Sequence, residues 1–281
     1  MAQFIEIMKA FLFGIVEGIT EWLPVSSTGH LILVEEFVKF KDVSEDFFSM
    51  FEVVIQFGAI LAVVLLFWNK LWPFGYDDKK ILIKKNIFIM WFKIVVACLP
   101  AIVLVVFGLD DKFEKMFYNY QTVSIMLIIV GIAFIVIESW NKDRKPKITR
   151  MSEITYLLAL GIGMFQLIAA IFPGTSRSGA TIIGGLLLGM SRGLAAEFTF
   201  FLAIPVMFGA SLLKLVKFGM HFTGLEAAIL LTGMVVSFAV SYFVIKFLMG
   251  YIKKHDFKVF GWYRIVLGVA VLSYFALLAG K

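Results

Sequence analysis

Cysteine, histidine and charge are scarce in this chain of 281 residues. The single cysteine, Cys98, excludes an intrachain disulfide and says nothing about the redox compartment. Only 16% of the residues are charged, whereas 61% are hydrophobic, and a soluble domain of this length cannot bury so much apolar surface. The apolar runs are continuous rather than alternating, which argues against an outer-membrane barrel. The composition indicates an all-α polytopic membrane protein.

Six charge-free runs locate the membrane spans. With one flanking turn at each end, every run approaches the about 20 residues that cross about 30 Å of hydrocarbon. The runs are Val53 to Trp68, Ile94 to Leu109, Met116 to Ile137, Phe198 to Leu213, Ala227 to Ile245 and Ile265 to Gly280. Residues 1–41 and 153–191 differ, because each region holds two short apolar segments on either side of a polar stretch.

Basic residues orient these spans. Lysine and arginine crowd the loops at 70–93, 142–150 and 246–258, which predicts that these loops are cytoplasmic. The net charge of +6 then reports topology rather than a nucleic-acid partner. Counting crossings, residues 1–41 begin and end outside, and residues 153–191 begin and end inside. The short arms favour two re-entrant helix–loop–helix hairpins, whose irregular backbone is buried in protein at membrane depth.

The two hairpins show weak internal symmetry. Pro24-Val25-Ser26-Ser27 matches Pro173-Gly174-Thr175-Ser176 at an offset of 149, and Phe57-Gly58-Ala59 matches Phe208-Gly209-Ala210 at 151. The pattern predicts an inverted-topology repeat within one integral membrane domain, residues 1–281. Repeat 1 covers about 1–140 with hairpin 1–41, and repeat 2 covers about 150–281 with hairpin 153–191. Such folds place their sites at the midplane, where broken helices meet.

Two carboxylates belong to the first hairpin. Glu17 and Glu21 are four residues apart and therefore share one helix face. One interpretation is an interfacial acidic pair beside solvent. Because each ionised group at bilayer depth costs about 2.5–3.5 kcal/mol even on lenient scales, we favour a functional pair. It would hold Mg²⁺ or Ca²⁺, or position a water molecule.

Arg177 lies between two charge-free segments in the second hairpin. One interpretation is a structural ion pair with a buried glutamate. The functional interpretation is a guanidinium that binds phosphate in a bidentate manner. Nearby hydroxyls, glycines that let backbone amides approach closely, and a helix beginning near Ser178 all favour an anion. The candidate substrate-binding residues of the two loops are Ser26, Thr28, Gly174, Thr175, Ser176, Ser178, Gly179 and Thr181.

Ser27 and His30 complete the first loop. His30 suits two roles, either general base for a serine or water, or direct nucleophile on phosphorus. If Ser27 attacks, His30 or Glu21 would take its proton. If water attacks, Glu21 with a metal ion would activate it. The sequence leaves these alternatives open.

The two polar stretches resemble a known family. Glu-Gly-Ile-Thr-Glu-Trp-Leu-Pro-Val-Ser-Ser-Thr-Gly-His at 17–30 and Pro-Gly-Thr-Ser-Arg-Ser-Gly-Ala-Thr at 173–181 resemble the two signatures of bacterial undecaprenyl pyrophosphate phosphatases of the bacitracin-resistance type. The lipid phosphatases related to phosphatidic acid phosphatase are a poorer match, because their first motif and their late histidine are missing. The catalytic set that the resemblance implies is Glu17, Glu21, Ser27, His30 and Arg177.

The resemblance also implies an activity and a location. The enzyme would be a hydrolase acting on a phosphoric anhydride, which converts C55 isoprenyl pyrophosphate to the monophosphate and inorganic phosphate. This reaction recycles the carrier lipid for peptidoglycan synthesis, and so serves cell wall biogenesis, cell shape and resistance to bacitracin. A divalent cation, Mg²⁺ or Ca²⁺, would sit on Glu17 and Glu21. The expected location is the bacterial inner membrane, with the site facing the periplasm or cell exterior.

Two other functions compete with this one. Inverted repeats with broken helices are common in secondary carriers, so a transporter or lipid flippase is the main alternative. A non-catalytic scaffold leaves intramembrane Glu17, Glu21 and Arg177 unexplained. The expected partners are the pyrophosphate lipid and the membrane, with no nucleic acid, and a homodimer is the expected assembly.

Overall fold

Helices dominate the computed structural model, which describes residues 2–77, 80–219 and 221–279. A short 3₁₀ turn, Met151–Glu153, also occurs. The α-helices are α1 (Ala2–Thr20), α2 (Ser27–Phe37), α3 (Glu45–Leu66), α4 (Trp68–Leu71), α5 (Lys85–Val106), α6 (Asp110–Phe117), α7 (Tyr120–Trp140), α8 (Tyr156–Ile171), α9 (Arg177–Leu187), α10 (Arg192–Phe218), α11 (Gly224–Tyr251) and α12 (Lys258–Ala279).

Six of these helices are long and apolar enough to cross a membrane, namely α3, α5, α7, α10, α11 and α12. The predicted polytopic all-α class is confirmed. Five of the six helices begin earlier than the charge-free runs, because polar residues form their first turns. In α3, for example, the Ser44 side chain caps the helix at the Phe47 amide, and Glu45 and Asp46 face the positive end of its dipole. Helix α7 instead begins at Tyr120, four residues after Met116, because Asn119 caps the helix there. Gly280, the predicted end of the last run, lies outside the described residues.

Two helix–loop–helix units occupy the predicted hairpin regions. They are α1 with α2, and α8 with α9. The second helix of each unit has 11 residues and is about 16 Å long, which is about half the hydrocarbon thickness. The re-entrant placement of the units in a bilayer stays a prediction, and the short second helices favour it.

The two halves of the chain interlock. Helix α1 of the first half packs on α11 of the second half, and α8 of the second half packs on α5 of the first. Helices α3 and α10 pair across the centre, as do α7 and α12. This exchange is the pattern that an inverted repeat produces. The proposed boundaries of the two repeats stay a prediction.

The predicted landmarks Gly58 and Gly209 are not equivalent in packing. A Cβ on Gly58 would lie 2.1 Å from the Met234 carbonyl oxygen, so glycine is needed where α3 touches α11. A Cβ on Gly209 would meet open space. The Phe-Gly-Ala match therefore reflects similar sequence rather than a shared packing constraint.

A small β-hairpin was not expected from the sequence. Strands β1 (Phe74–Asp77) and β2 (Lys80–Ile83) pair antiparallel in the first basic loop. It lies between α4 and α5, outside the six candidate spans.

A buried carboxylate, Glu138 near the end of α7, joins three helices. Its oxygens accept hydrogen bonds from Nε and Nη2 of Arg192 at the start of α10 and from the Phe257 amide before α12. Glu138 is 1% exposed, so these donors, rather than water, stabilise its ionised carboxylate. The pair therefore fixes the mutual placement of α7, α10 and α12 at one end of the bundle.

The Glu138→Gln variant should be less stable by about 2–3 kcal/mol, because it leaves the Arg192 guanidinium without its anion in a partly buried site. The midpoint of thermal unfolding in detergent micelles should then fall by about 5–10 °C. The exposed residue Glu36 offers the matched control Glu36→Gln, whose midpoint should not move. Equal midpoints for the two variants would contradict the bracing role.

Candidate active site

The tips of the two helix–loop–helix units meet through one ion pair. Nη2 of Arg177, at the start of α9, lies 2.8 Å from Oε1 of Glu21, just after α1. The two side chains are only 14% and 9% exposed. The hydroxyl of Ser178 adds a second connection, donating a hydrogen bond to the Glu21 main-chain oxygen at 3.0 Å. Residues more than 150 positions apart in the sequence thus form one polar site.

Arg177 is held by α10 as well as by Glu21. Its Nη1 donates to the carbonyl oxygen of Thr199 at 3.0 Å, and its Nη2 also contacts the Met207 sulfur at 3.7 Å. Because one edge of the guanidinium is fixed by a carbonyl, the other edge has a defined direction toward the first loop. This arrangement orients a cation for bidentate contact with an anion.

Ser27, Glu21 and Arg177 form a chain of hydrogen-bonded side chains. The Ser27 hydroxyl donates a hydrogen bond to Oε2 of Glu21 at 3.0 Å, while Oε1 of the same carboxylate faces Arg177. Glu21 therefore accepts the hydrogen bond of the Ser27 hydroxyl in this structure. The arrangement places a hydroxyl, a carboxylate and a guanidinium side by side.

Both loops contain a serine with unusual backbone geometry. Ser26 has φ 76° and Ser176 has φ 69°, and each caps the helix that follows it. Their hydroxyls accept hydrogen bonds from the amides of Gly29 and Gly179. Positive φ at a non-glycine residue is strained and concentrates at functional sites. The same strained capping turn therefore occurs once in each half of the chain.

These caps limit which groups remain available to a ligand. The Gly179 amide is occupied by Ser176, and the Thr181 hydroxyl donates to the Arg177 and Ser178 carbonyls. The hydroxyl of Thr175 is buried without a partner among the described residues. Of the predicted second-loop residues, Gly174, Ser176 and Arg177 line the cavity described below.

Both ring nitrogens of His30 have partners other than Glu21 and Ser27. Its Nδ1 lies 2.7 Å from the Ser26 carbonyl oxygen and its Nε2 lies 2.7 Å from the Tyr263 hydroxyl on α12. Since a carbonyl only accepts, Nδ1 carries the hydrogen, and Nε2 of the neutral ring accepts from Tyr263. In this arrangement the His30 ring fixes the main-chain carbonyl of Ser26, the serine with positive φ. Its predicted role as base or nucleophile stays a prediction.

Glu17 lies one helical turn before Glu21 and is fully buried. Neither of its carboxylate oxygens has a hydrogen-bond partner among the described residues. The described residues contain no group of three or more His, Cys, Asp or Glu side chains that could hold a metal ion by themselves. A Mg²⁺ ion that binds phosphate needs only one or two protein carboxylates. The unpartnered oxygens of Glu17 therefore suit a cation as ligands, although Glu17 does not line the cavity described below and both oxygens of Glu21 already accept hydrogen bonds.

A cavity of about 180 Å³ opens between the two loops. Two larger cavities, of about 670 and 700 Å³, lie among basic loop residues instead and have none of the residues of this site. The small cavity has a polar wall from the loops and a mostly apolar wall from α3, α8 and α10. Its lining residues are Glu21, Ser27, Thr28, Gln56, Ala169, Pro173, Gly174, Ser176, Arg177, Val206, Met207 and Ala210.

Three residues near the site were missed in the sequence. Gln56 lies inside a charge-free run that predicts only a membrane span, and Tyr263 and Arg264 immediately precede another run. For Arg264, the available signal was the position of an arginine at the edge of an apolar run. A cation at membrane depth needs buried polar partners, so such an arginine indicates a polar site nearby. Arg264 is in fact 0% exposed.

Known proteins are similar to this chain over nearly its whole length. The family model described as "Bacitracin resistance protein BacA" matches residues 10–270. A protein of Desulfitobacterium hafniense named "Undecaprenyl-diphosphatase" is 67% identical over 274 residues, which cover 97% of each chain. Proteins of the same name from Lachnoclostridium phytofermentans and Enterococcus faecalis are 63% identical (98% of this chain, 99% of the relative) and 58% identical (96% and 97%).

Proposed function

The chain belongs to the bacitracin resistance protein BacA family, and from this premise we propose how its site acts. It is a membrane-embedded hydrolase that converts undecaprenyl pyrophosphate to undecaprenyl phosphate and inorganic phosphate. The reaction recycles a carrier lipid of cell wall synthesis and underlies resistance to bacitracin. The observation that carries the proposal for the site is the Ser27–Glu21–Arg177 chain, which joins both hairpin tips through two contacts of 3.0 and 2.8 Å.

The small cavity suits the diphosphate and not the isoprenyl chain. Its volume of about 180 Å³ has room for a headgroup, and the long hydrocarbon would lie outside it among the lipids. Val206, Met207 and Ala210 provide an apolar wall on α10. A lipid could thus slide in laterally while its charged end reaches the loops.

Arg177 binds the phosphate that is transferred. Without substrate its guanidinium is paired with Glu21. An entering diphosphate replaces Glu21 as the anionic partner, while the Thr199 carbonyl keeps the guanidinium in place. This exchange releases Glu21 to act on Ser27, so substrate binding itself activates the base. Charge that develops on the phosphoryl oxygens is then stabilised by a preoriented cation.

Ser27 is the nucleophile in this mechanism. Its Oγ forms a bond to the terminal phosphorus as the bond from phosphorus to the bridging oxygen breaks, and the serine proton passes to Glu21. Undecaprenyl phosphate leaves with the bridging oxygen, and Glu21 gives up its proton either to this product or to solvent, so that it is again a carboxylate. Water then attacks the phosphoserine, one of its protons returns to Ser27 Oγ through Glu21, and inorganic phosphate departs.

A divalent cation would be held by Glu17 and Glu21. When bound, it supplies positive charge that neutralises the diphosphate oxygens. The support is the buried, unpartnered carboxylate of Glu17, which has no protein cation of its own among the contacts described above.

We propose that this multi-pass protein lies in the inner membrane with its cavity open to the outside. The basic loops are the support for this orientation, since they favour the cytoplasm. Helix α10 then runs outward, and its residues in the cavity wall belong to its C-terminal half, which lies toward the exterior. A homodimer stays the proposed assembly, to be checked by the mass of the detergent-solubilised particle.

The proposed reaction is tested by phosphate release from undecaprenyl pyrophosphate in detergent micelles. The purified protein should release one phosphate per lipid, lose activity when divalent cations are chelated and regain it with Mg²⁺ or Ca²⁺. Scrambling of lipid in proteoliposomes without phosphate release would support the transporter alternative, which the names of the relatives do not favour. Undiminished release after chelation would contradict the cation.

A further inference from the structure

Arg264 is a second buried guanidinium beside the active site. It is 0% exposed and belongs to α12, which contributes no residue to the cavity wall. All four of the hydrogen bonds it donates go to main-chain carbonyl oxygens. Burying a cation costs free energy unless acceptors such as these surround it. The four carbonyl oxygens therefore stabilise the buried guanidinium.

Three of these acceptors come from the two loops of the active site, and the fourth belongs to α7. Nη1 donates to the Pro24 carbonyl of the first loop at 3.2 Å. Nη2 donates to the Gly174 and Thr175 carbonyls of the second loop at 2.7 and 3.0 Å. Nε donates to the Leu127 carbonyl of α7 at 3.4 Å. One planar group therefore spans the two hairpin tips and attaches both to the body of the protein.

The attachment points lie close to the reacting groups. Pro24 stands three residues from both Glu21 and Ser27, and Thr175 stands two residues before Arg177. A shift of either loop relative to Arg264 would therefore alter the distance between the Ser27–Glu21 pair and the Arg177 guanidinium.

The second loop is shaped to reach this arginine. Gly174 has φ +88°, and a Cβ there would lie 2.5 Å from the Val123 carbonyl oxygen of α7. A side chain at 174 would thus push the loop off α7 and withdraw two of the carbonyls that Arg264 binds. Glycine here serves the placement of the loop, in addition to the close approach of amides that the sequence suggested.

We propose that Arg264 is a positioning residue, which holds the two hairpin loops at the separation that lets Ser27 and Arg177 act on one diphosphate. The inference rests on the proposed phosphatase function. Its physical basis is the fork of fixed N–H donors, which a lysine cannot reproduce because an ammonium is a point charge on a flexible stem. Since Arg264 contacts loop carbonyls and lies outside the cavity wall, it acts through the geometry of other residues.

The test compares Arg264→Lys and Arg264→Gln with the unaltered protein in the phosphate-release assay. Both variants should lower kcat by about 10²-fold, the loss that a displacement of about 1 Å can cause, with KM changed by less than about threefold, because the cavity that binds the headgroup is retained. Thermal unfolding of the same samples reports whether the fold is kept. Lys93 on α5, a buried cation that donates to the Ser152 carbonyl, provides the matched control Lys93→Gln, which should leave kcat unchanged.

The outcomes separate the inference from the function on which it rests. If the unaltered protein releases no phosphate, the proposed function fails. If it is active and Arg264→Lys keeps its kcat, a buried charge is sufficient and the positioning role is wrong. A fall in unfolding temperature with unchanged kcat, or failure of both variants to fold, would identify Arg264 as a structural brace only. A loss of kcat equal to that of Lys93→Gln would also overturn the proposal.

Discussion

Replacing Ser27 by alanine should lower kcat for phosphate release by about 10⁴-fold or more, because the variant has no oxygen to form the phosphoserine. The hydroxyl already donates to Glu21 Oε2 at 3.0 Å, so the proposed nucleophile and the proposed base are in contact in the unaltered site. KM should change little, since Arg177 and the rest of the cavity remain.

The size of the loss distinguishes Ser27 from water as the nucleophile. If water attacks instead, Ser27 contributes about one hydrogen bond, worth about 1 kcal/mol, and its removal costs about tenfold or less. A loss of about 10⁴-fold is too large for that role. Glu21→Gln should be intermediate, at about 10²-fold or more, since it removes the proton acceptor and keeps the nucleophile.

Initial rates of phosphate release, with substrate labelled at the terminal phosphate, measure these effects. An acid quench of the unaltered enzyme should trap label on Ser27. Ser237 is a matched control, because it is a buried serine whose hydroxyl has no partner among the described residues, and Ser237→Ala should keep full activity. A tenfold loss in Ser27→Ala, without trapped label, would return the mechanism to water or to His30.

The sequence predicted the long helices well, because their signal is local. Lipid accepts only backbone whose hydrogen bonds are satisfied internally, so a charge-free run of sufficient length is already a helix. The ends were less predictable. The charged first turn of α3 belongs to the helix although it carries Glu45 and Asp46, because the cap at Ser44 depends on geometry that a hydropathy pattern does not record.

The site was predictable to a different degree. Glu21, Ser27 and Arg177 stood out because charges and hydroxyls are rare in this chain, and the structure brings them together. The partners of His30 and of Arg264 could not be read from the sequence. They are contacts across 233 residues and across 89 to 240 residues, and local periodicity does not report which face of a helix meets which distant loop.

Arg177→Lys should lower kcat/KM by about 10³-fold, although it keeps the positive charge. An arginine that stabilises phosphoryl transfer contributes about 10³–10⁵ in rate, and much of its value lies in a planar fork that engages two phosphate oxygens. Here the fork also engages the Thr199 carbonyl through Nη1. A lysine would have to choose between that carbonyl and the substrate, so it would bind phosphate loosely and in a variable direction.

The matched control for this prediction is Arg192→Lys, which alters the other arginine that pairs with a buried glutamate. Arg192 binds Glu138, a residue absent from the cavity wall, so this variant should lose thermal stability while keeping kcat/KM within a few-fold. The opposite pattern is expected for Arg177→Lys, because its partner Glu21 must be released for catalysis. If Arg177→Lys loses stability and keeps its activity, the ion pair between the hairpins is structural, and the phosphate must be held elsewhere.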